Sequence, residues 1–364
     1  MTKVIFITNK LITGGVEKAL LEMIKQIPKD NFEITIGVFN LGGELEKSLR
    51  SDVKIIEIPE VNESIKTILI KDLAEMKLIE LIKKIKNLIM CNLVKDYNEK
   101  CRYRCKLYRK LNEIYDVAVC YHKPTDLPVP YVIDNVKSNK KVLWIHMDMS
   151  KIAENEKRGY YKLYKEYDEI ICISKAVKNQ VINIFPEFKN KTKVIYNFID
   201  KGEIRKLSDC GEKFETSDGN YNILTVARLS TEKGHDLIIE AAILLKKKGV
   251  NFRWYLIGEG PIKNKLLKKV EENDLKKYVI LLGNKDNPYG YFKTCDIYVQ
   301  PSLEEGFGIT VSEAKIFEKP IIITKFATST EHIIDRKTGY IVDFNGNDIA
   351  CKIEKLIKNS FFID

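Results

Sequence analysis

Short apolar runs alternate with amphipathic helical patterns along almost the whole chain, and this alternation restricts the fold more than any other feature. The runs are rich in Val and Ile, which is typical of strands buried on both faces of a parallel sheet. The pattern therefore predicts an α/β fold built from repeated βαβ units. We expect strands at 4–8, 33–39, 53–56, 115–120, 141–146, 169–173 and 193–196, and again at 222–227, 253–257, 279–282, 296–299, 320–324 and 340–342.

Length and composition favour two domains. The chain has 364 residues, of which 45% are hydrophobic, and this is enough to build two separate cores. Residues 200–220 are polar and contain glycine without any sustained periodicity, so they are the predicted linker. We therefore expect Rossmann-like domains at 1–199 and 221–364 that face each other across a cleft. Ligands of such sheets bind outside the carboxyl ends of the strands.

The sequence shows no signal for a membrane span, a leader peptide or a metal site. No run of about twenty uninterrupted apolar residues occurs, and the first residues pass directly into a predicted strand, so we expect a cytoplasmic protein. The eight cysteines are scattered without a C-x-x-C pair and are expected to be reduced. With four histidines and no D-x-D pair, neither a metal nor an organic cofactor is expected.

The net charge of +10 is concentrated in one segment. Between Lys71 and Lys110, twelve Lys or Arg residues stand against five Asp or Glu residues, a local net charge of +7. Apolar residues recur there at spacings of three and four, which predicts an amphipathic helical excursion of the first domain over about 65–113. Two interpretations stay open, namely packing of the apolar stripe on the first sheet and docking at an anionic membrane surface. No nucleic-acid-binding motif accompanies the charge, so no nucleic acid partner is expected.

Two carboxylates eight residues apart surround a glycine pair in the stretch EEGFGITVSEA. Glu305 precedes a helix predicted at 307–317, and Glu313 lies inside it. Gly306 and Gly308 let the backbone approach a ligand, and the N terminus of a helix favours an anion such as a diphosphate. Carboxylates also accept hydrogen bonds from sugar hydroxyls. The spacing fits a sugar and a ribose joined by a diphosphate, and it equally fits an N-terminal acid followed by a solvated glutamate.

Two cations follow the first predicted strand of the second domain, in VARLSTEKGHDLIIEA. Arg228 ends the strand, and Lys233 stands where the next helix begins. Permanent cations at such a position can neutralise a diphosphate without a metal ion. The alternative is an ordinary pair of surface side chains.

Five motifs in order resemble the family 4 glycosyltransferases. They are TGGVEKAL, CISKAVKNQV, VIYNFID, VARLSTEKGHDLIIEA and PSLEEGFGITVSEA, and the resemblance covers nearly the whole chain. Members of that family are retaining enzymes of the GT-B architecture. The resemblance implies a metal-independent transfer of sugar from a nucleotide-sugar, such as a UDP- or GDP-sugar, to a glycan or lipid-linked acceptor. The implied setting is the biosynthesis of a cell-surface polysaccharide, such as a capsule or lipopolysaccharide.

The resemblance also implies roles for individual residues. Arg228 and Lys233 would hold the donor diphosphate, Glu313 the ribose and Glu305 the transferred sugar, while the backbone N–H of Gly15 would reach the phosphate. The implied catalytic residues are Glu305, His146, Arg228 and Lys233. Further implied donor contacts are Gly283, Asn284, Gly306, Phe307, Gly308 and Ile309, and the implied acceptor contacts are Gly14, His146 and Asp148.

Other functions of this architecture stay open at the level of the sequence. A nucleotide-sugar epimerase would share the donor residues, and so would a protein that binds a nucleotide-sugar without catalysis. The glycine pair at 14–15 and His146 argue against the purely binding protein, because it would not need acceptor residues. His146 itself could also be an ordinary hydrogen-bonded residue at the end of a strand.

Overall fold

The computed structural model describes residues 1–12, 14–58, 78–122, 126–214 and 219–358. The chain forms two compact units, Met1–Phe198 and Ile199–Asp364. Each unit contains one parallel sheet with helices in the connections between its strands. These connections are the βαβ crossovers that the alternating pattern predicts.

The first unit contains seven parallel strands in the order β3-β2-β1-β4-β5-β6-β7. They are β1 (Thr2–Thr8), β2 (Phe32–Val38), β3 (Lys54–Glu57), β4 (Ile114–Tyr121), β5 (Lys137–Ile145), β6 (Glu169–Cys172) and β7 (Thr192–Val194). The helices described in this unit are α1 (Gly15–Gln26), α2 (Leu78–Leu93), α3 (Tyr97–Cys105), α4 (Pro128–Asn135), α5 (Glu154–Tyr164) and α6 (Lys175–Ile184).

The second unit contains six parallel strands in the order β10-β9-β8-β11-β12-β13. They are β8 (Tyr221–Val226), β9 (Phe252–Ile257), β10 (Val279–Gly283), β11 (Ile297–Gln300), β12 (Ile321–Thr324) and β13 (Tyr340–Val342). Its helices are α7 (Lys201–Cys210), α8 (His235–Lys247), α9 (Lys263–Glu272), α10 (Tyr289–Thr294), α11 (Ile309–Lys315), α12 (Ser329–His332) and α13 (Gly346–Lys358).

The two sheets share one topology. Counted from the first strand of each unit, both follow the order 3-2-1-4-5-6, and the first unit adds a seventh strand. The direction of winding reverses between β1 and β4 in the first unit and between β8 and β11 in the second. Loops separate at such a switch point and leave room for a ligand at the carboxyl ends of the strands.

Alternating side chains of the second sheet pack into two hydrophobic clusters. Ile223 and Ile297 belong to one cluster, while their neighbours Leu224 and Tyr298 belong to the other. Successive residues of a strand point to opposite faces, so the sheet is covered on both sides. Each of the predicted strands overlaps a strand of the structure, because Val and Ile runs of this length are buried on both faces.

The first half of the predicted linker at 200–220 forms a helix in the structure. The two units divide between Phe198 and Ile199, and Lys201–Cys210 form helix α7. Asp200 caps this helix, because its carboxylate accepts a hydrogen bond of 2.9 Å from the backbone N–H of Glu203. The helix then packs against α10 of the second unit.

The helical excursion predicted at about 65–113 contains two helices, α2 and α3, in its described part. Asp96 stands between them with extended backbone and caps α3 by accepting a hydrogen bond from the N–H of Glu99. Three residues of its apolar stripe, Ile82, Ile89 and Leu93, are exposed rather than packed on the sheet. The part of the prediction at 65–77 lies outside the described residues.

Candidate functional site

The loops after β8 and β11 lie against each other at the switch point of the second sheet. The N–H of Leu303 donates a hydrogen bond of 2.8 Å to the carbonyl of Glu232. Gly234 has a φ of +67°, and a Cβ at this position would lie 2.0 Å from the carbonyl oxygen of Pro301. Glycine is therefore required both by the left-handed backbone and by the contact. The contact brings residues 228–233 and 302–305 into one group.

Lys233 and Glu305 form a shielded ion pair in this group. Nζ of Lys233 lies 2.7 Å from Oε1 of Glu305, and the two side chains are only 20% and 10% exposed. The same carboxylate oxygen accepts a hydrogen bond of 2.9 Å from Ser302, while Nε2 of Gln300 lies 3.4 Å away. Gln300 and Ser302 are themselves fully buried. The carboxylate of Glu305 is thus held in place by donors from two loops.

Arg228 lies at the exposed border of the group. Its guanidinium donates a hydrogen bond of 2.6 Å to Glu232, and 68% of its side chain is exposed. Burial alone would raise the pKa of Glu232, but hydrogen bonds from Ser230 and Arg228 outweigh it and hold the pKa at about 2. Glu232 therefore stays ionised and keeps Arg228 beside the loop.

The glycine loop that precedes α11 is held in place by residues in and next to α12. Gly308 has a φ of +87° at the start of the helix, and the imidazole of His332 bonds through Nε2 to the carbonyl of Phe307. Thr328 donates to the same carbonyl at 3.1 Å, and Lys315 donates to the carbonyl of His332 at 2.8 Å. Sequence reasoning missed His332, because nothing in the sequence places residue 332 beside residue 307.

Glu313 lies on α11 and is half-buried. The hydroxyl of Tyr289 donates a hydrogen bond of 3.0 Å to its carboxylate. The helix covers Ile309–Lys315, so it is shorter at both ends than the predicted 307–317. Phe307 and Gly308 are consequently loop residues, and Ile309 is the first residue of the helix.

Gly283 and Asn284 lie at the carboxyl end of β10, on the same edge of the sheet but two strands from β8. The carbonyl of Gly283 accepts a hydrogen bond of 2.8 Å from the N–H of Gly258 in the loop after β9. Gly283 has a φ of +71°, and Asn284 is exposed. Their predicted contact with the base of a nucleotide stays a prediction.

Gly14 and Gly15 begin α1, after the loop that follows β1 in the first unit. A Cβ on Gly14 would lie 2.4 Å from a carboxylate oxygen of Glu17. Glu17 is buried, and this burial raises the pKa of its carboxyl group. A larger residue at position 14 would displace this side chain. The phosphate contact that the resemblance implies for Gly15 stays a prediction.

His146 follows β5 and packs on two aromatic rings. Its ring centre lies 4.3 Å from that of Tyr121 and 6.3 Å from that of Trp144. Its Nε2 atom is covered and has no hydrogen-bond partner among the described residues. Burial, with a smaller effect of His122, lowers the pKa of His146 to about 3.

Asp148 accepts a hydrogen bond of 2.8 Å from the N–H of Ser150, so it shapes the loop that carries His146.

A second histidine at this edge was not predicted from the sequence. His122 follows β4, between the ends of β1 and β5, and its Nε2 lies 2.7 Å from the side-chain amide of Asn9 and 3.5 Å from Asp126. Asp126 also accepts a hydrogen bond of 2.9 Å from Tyr97. The signal in the sequence was the position of His122 directly after the strand predicted at 115–120.

The described residues contain neither a candidate metal site nor a candidate membrane-spanning helix. No group of three or more His, Cys, Asp or Glu side chains in the described ranges could hold a metal ion. In the same part of the chain, no helix combines the length and the apolar character needed to cross a membrane.

Comparison with known proteins gives a family match within the second unit. Residues 211–361 match the family model described as glycosyl transferases group 1. An uncharacterized glycosyltransferase of Methanocaldococcus jannaschii is 32% identical over 63% of this chain and 61% of its own length. A poly(ribitol-phosphate) alpha-N-acetylglucosaminyltransferase of Staphylococcus aureus is 30% identical over 52% of this chain and 37% of its own length. The chain thus spans less than two thirds of these relatives.

Solved structures show the same fold over the whole chain. The structure of HepE from Anabaena in complex with UDP and glucose has a TM-score of 0.71 at 18% identity, and the match covers 99% of this chain and 91% of that one. TarM has a TM-score of 0.68 at 16% identity, with 99% and 92% covered. The expected α/β fold with two parallel-sheet domains of the GT-B type is therefore confirmed.

Proposed function

We propose that the protein is a retaining glycosyltransferase that moves a sugar from a nucleotide-sugar to a glycan or lipid-linked acceptor, in the assembly of a cell-surface polysaccharide. The observation that carries this proposal is the shielded pair of Lys233 and Glu305 at the switch point of the second sheet. The ammonium group of Lys233 can bind a diphosphate, and the carboxylate of Glu305 can accept hydrogen bonds from sugar hydroxyls at the same place.

The ion pair is compatible with donor binding. An ammonium group has three N–H donors, so Lys233 can keep its bond to Glu305 and still donate to a phosphate oxygen. The exposed Arg228 can approach the same phosphates, and its ion pair with Glu232 limits how far its guanidinium moves from the loop. Both cations would then offset the negative charge that develops on the departing diphosphate. Fixed charges of this kind need no reorganisation during the reaction.

Glu305 serves as a hydroxyl acceptor in this proposal. Its carboxylate is positioned by Ser302 and Lys233, and hydrogen bonds to two sugar hydroxyls would orient the ring. In the family that the motifs resemble, retention is explained by attack from the face that the diphosphate leaves, with the diphosphate helping to deprotonate the acceptor. We extend this mechanism to the present chain, so no enzyme nucleophile is required.

The acceptor is assigned to the first unit, at the carboxyl edge of β1, β4 and β5. Gly14, His146 and Asp148 lie in the loops of this edge, and with its low pKa His146 is neutral at pH 7. A neutral imidazole can accept a hydrogen bond from a sugar hydroxyl. The covered Nε2 of His146, which has no partner among the described residues, supports a role of this kind.

The acceptor class is suggested by relatives. One of them, from Campylobacter jejuni, is named as an N-acetylgalactosaminyltransferase that acts on a diphospho-undecaprenol-linked sugar. Another, from Staphylococcus aureus, is named as a capsular polysaccharide biosynthesis glycosyltransferase. These names support a lipid-linked or growing surface glycan as the acceptor of the present chain, and the UDP in the HepE structure supports a UDP-sugar as the donor.

Transfer should be measured with a panel of UDP- and GDP-sugars and with a diphospho-undecaprenol-linked sugar as acceptor. We expect a product with the anomeric configuration of the donor, formed equally well with EDTA, because cationic side chains take the place of a metal ion. Glu305→Ala, Lys233→Ala and Arg228→Ala should each lower the rate about tenfold or more, since each removes a fixed charge or hydrogen bond at the donor.

Three outcomes would contradict the proposal. Loss of transfer in EDTA with recovery on adding Mg²⁺ would overturn the metal-independent mechanism. Near-normal rates in all three variants would overturn the site. Conversion of the nucleotide-sugar without any acceptor would identify an epimerase instead.

A further inference from the structure

Helix α2 presents its apolar side chains to solvent. Ile82, Ile89 and Leu93 are 60%, 51% and 69% exposed, and Ile85 is 36% exposed. At about 100° per residue these four positions fall within an arc of roughly 80° on one side of the helix. An amphipathic helix that packs on its own domain buries such an arc. The arrangement in α2 is therefore the reverse of core packing, and it leaves an apolar face without a partner among the described residues.

Lysines accompany this apolar face, and acids are absent from the same stretch. Residues 82–95 contain four lysines and neither Asp nor Glu. Lys86 lies about 20° beyond one edge of the arc and Lys83 about 80° beyond the same edge, and both are exposed. We call Ile82, Ile85, Lys86, Ile89 and Leu93 the α2 face. Its apolar side chains can insert into an apolar phase, and its lysine attracts anions.

The neighbouring helix α3 uses its charges inside the protein instead. Arg102 bonds to Asp134 at 2.9 Å and to Glu166 at 2.6 Å, and Glu99 pairs with Lys162. On the same helix, Asn98, Cys101 and Cys105 are buried. These contacts fix α3 on the first unit, so its part of the basic segment is largely structural.

Helix α2 is in turn attached to this fixed helix. Only residues 94–96 separate the two helices, and the thiol of Cys91 lies 3.9 Å from the carbonyl of Lys100. α2 therefore packs against α3 on one side and turns its apolar side outward.

We propose that the α2 face docks on an anionic lipid bilayer, with the helix parallel to the surface. Its four apolar side chains enter the headgroup region, and Lys83 and Lys86 contact lipid phosphates. Helices of this type bind through buried apolar area together with attraction to anionic lipids. The basic charge is complementary to such a surface, whereas a symmetric contact with a second copy would bring like lysines together. The proposal does not depend on the transfer reaction.

Flotation of the full chain with vesicles tests this proposal. We expect binding to vesicles of equal parts phosphatidylcholine and phosphatidylglycerol, and much weaker binding to phosphatidylcholine alone. The triple variant Ile82→Ser, Ile89→Ser, Leu93→Ser should lose about tenfold or more of the bound fraction, because it removes the inserted side chains and keeps the charge. Lys83→Gln with Lys86→Gln should also lower binding and reduce its dependence on salt.

A matched control replaces three equally exposed apolar residues elsewhere. Ile114, Leu267 and Ile334 are 63%, 44% and 62% exposed, and their joint replacement by serine should leave flotation unchanged. A second measurement uses Leu93→Trp with brominated lipids, which quench a tryptophan that enters the bilayer. The native Trp144 and Trp254 are buried and provide a low background.

Several results would overturn the proposal. The first is that wild type does not float with the anionic vesicles. The second is that wild type and the triple serine variant at Ile82, Ile89 and Leu93 float equally. The third is that brominated lipids do not quench the added tryptophan of Leu93→Trp. A dimer in solution that the same triple variant converts to a monomer would assign the α2 face to a second copy.

Discussion

At the scale of single residues, the environment of each cation decides what it can contribute. Lys233 is shielded, and the side chain of its partner Glu305 is 10% exposed against 33% for that of Glu232. Arg228 is mostly exposed, so its pair with Glu232 contributes little to stability. Lys233 is thus suited to hold a fixed positive charge beside the proposed donor site. Arg228 is suited to move towards a donor that binds there.

His146 gives a residue-scale prediction for the dependence of stability on pH. Its pKa in the folded protein is about 3, below the unfolded value of about 6.5. The unfolded chain therefore binds the proton more readily, so stability is lost as pH falls below about 6.5 and the loss continues towards pH 3. By pH 5 this single group should cost about 2 kcal/mol of the free energy of unfolding.

Denaturation of wild type and His146→Asn at pH 7.5 and pH 5 measures this effect. The variant should lose less stability between the two pH values, although burial also lowers the pKa of His235 and His332, so part of the loss remains. Equal losses in the two proteins would show that His146 is not buried as a neutral imidazole.

At the scale of elements, glycines set how closely the loops after neighbouring strands approach. Gly234 and Gly249 both have left-handed backbones in the second unit, with φ of +67° and +70°. A Cβ on Gly234 would meet the carbonyl of Pro301 at 2.0 Å, whereas a Cβ on Gly249 would meet nothing within 4 Å. Both positions share the cost of a left-handed backbone, but only position 234 has the close contact between loops. Comparing alanine variants at the two positions therefore distinguishes these two effects.

Gly234→Ala should therefore do more damage than Gly249→Ala. Both variants incur the left-handed penalty of about 1–2 kcal/mol, and Gly234→Ala must also separate the loops that carry Lys233 and Glu305. We expect a larger drop in melting temperature for Gly234→Ala and a loss of sugar transfer that Gly249→Ala does not show. Equal melting temperatures and equal rates would refute the role of this contact.

The strands could be predicted because their pattern is local, whereas the contacts within the site could not. Valine and isoleucine runs mark each strand, and the polar residues after them mark the edge where ligands bind. Lys233 and Glu305 lie 72 positions apart and meet because β11 pairs with β8, a register that no local pattern encodes. The spacing of Ile82, Ile89 and Leu93 likewise predicts a stripe but not the side to which it turns.

At the scale of the whole molecule, the proposed roles of the two units rest on different observations. Residues 211–361 match a glycosyl transferase family model, so the donor site proposed in the second unit rests on sequence and on geometry. The first unit shares the strand order, and the roles proposed for His146 and Asp148 rest on their position at the switch edge and on the family resemblance. Its implied placement opposite the donor, like the assignment to family 4, stays a prediction.

Calorimetric titration of the second unit's site within the full chain tests the central claim most directly. UDP, GDP and ADP, and then the sugar conjugate of whichever binds, should be titrated into wild type, Lys233→Gln and Glu305→Gln. We expect one nucleoside diphosphate to bind wild type and to bind Lys233→Gln about tenfold more weakly, because one charged hydrogen bond is lost. Glu305→Gln should bind the diphosphate normally but lose the added affinity for its sugar conjugate. Unchanged binding of diphosphate and conjugate in both variants, or no nucleotide binding at all, would contradict the account.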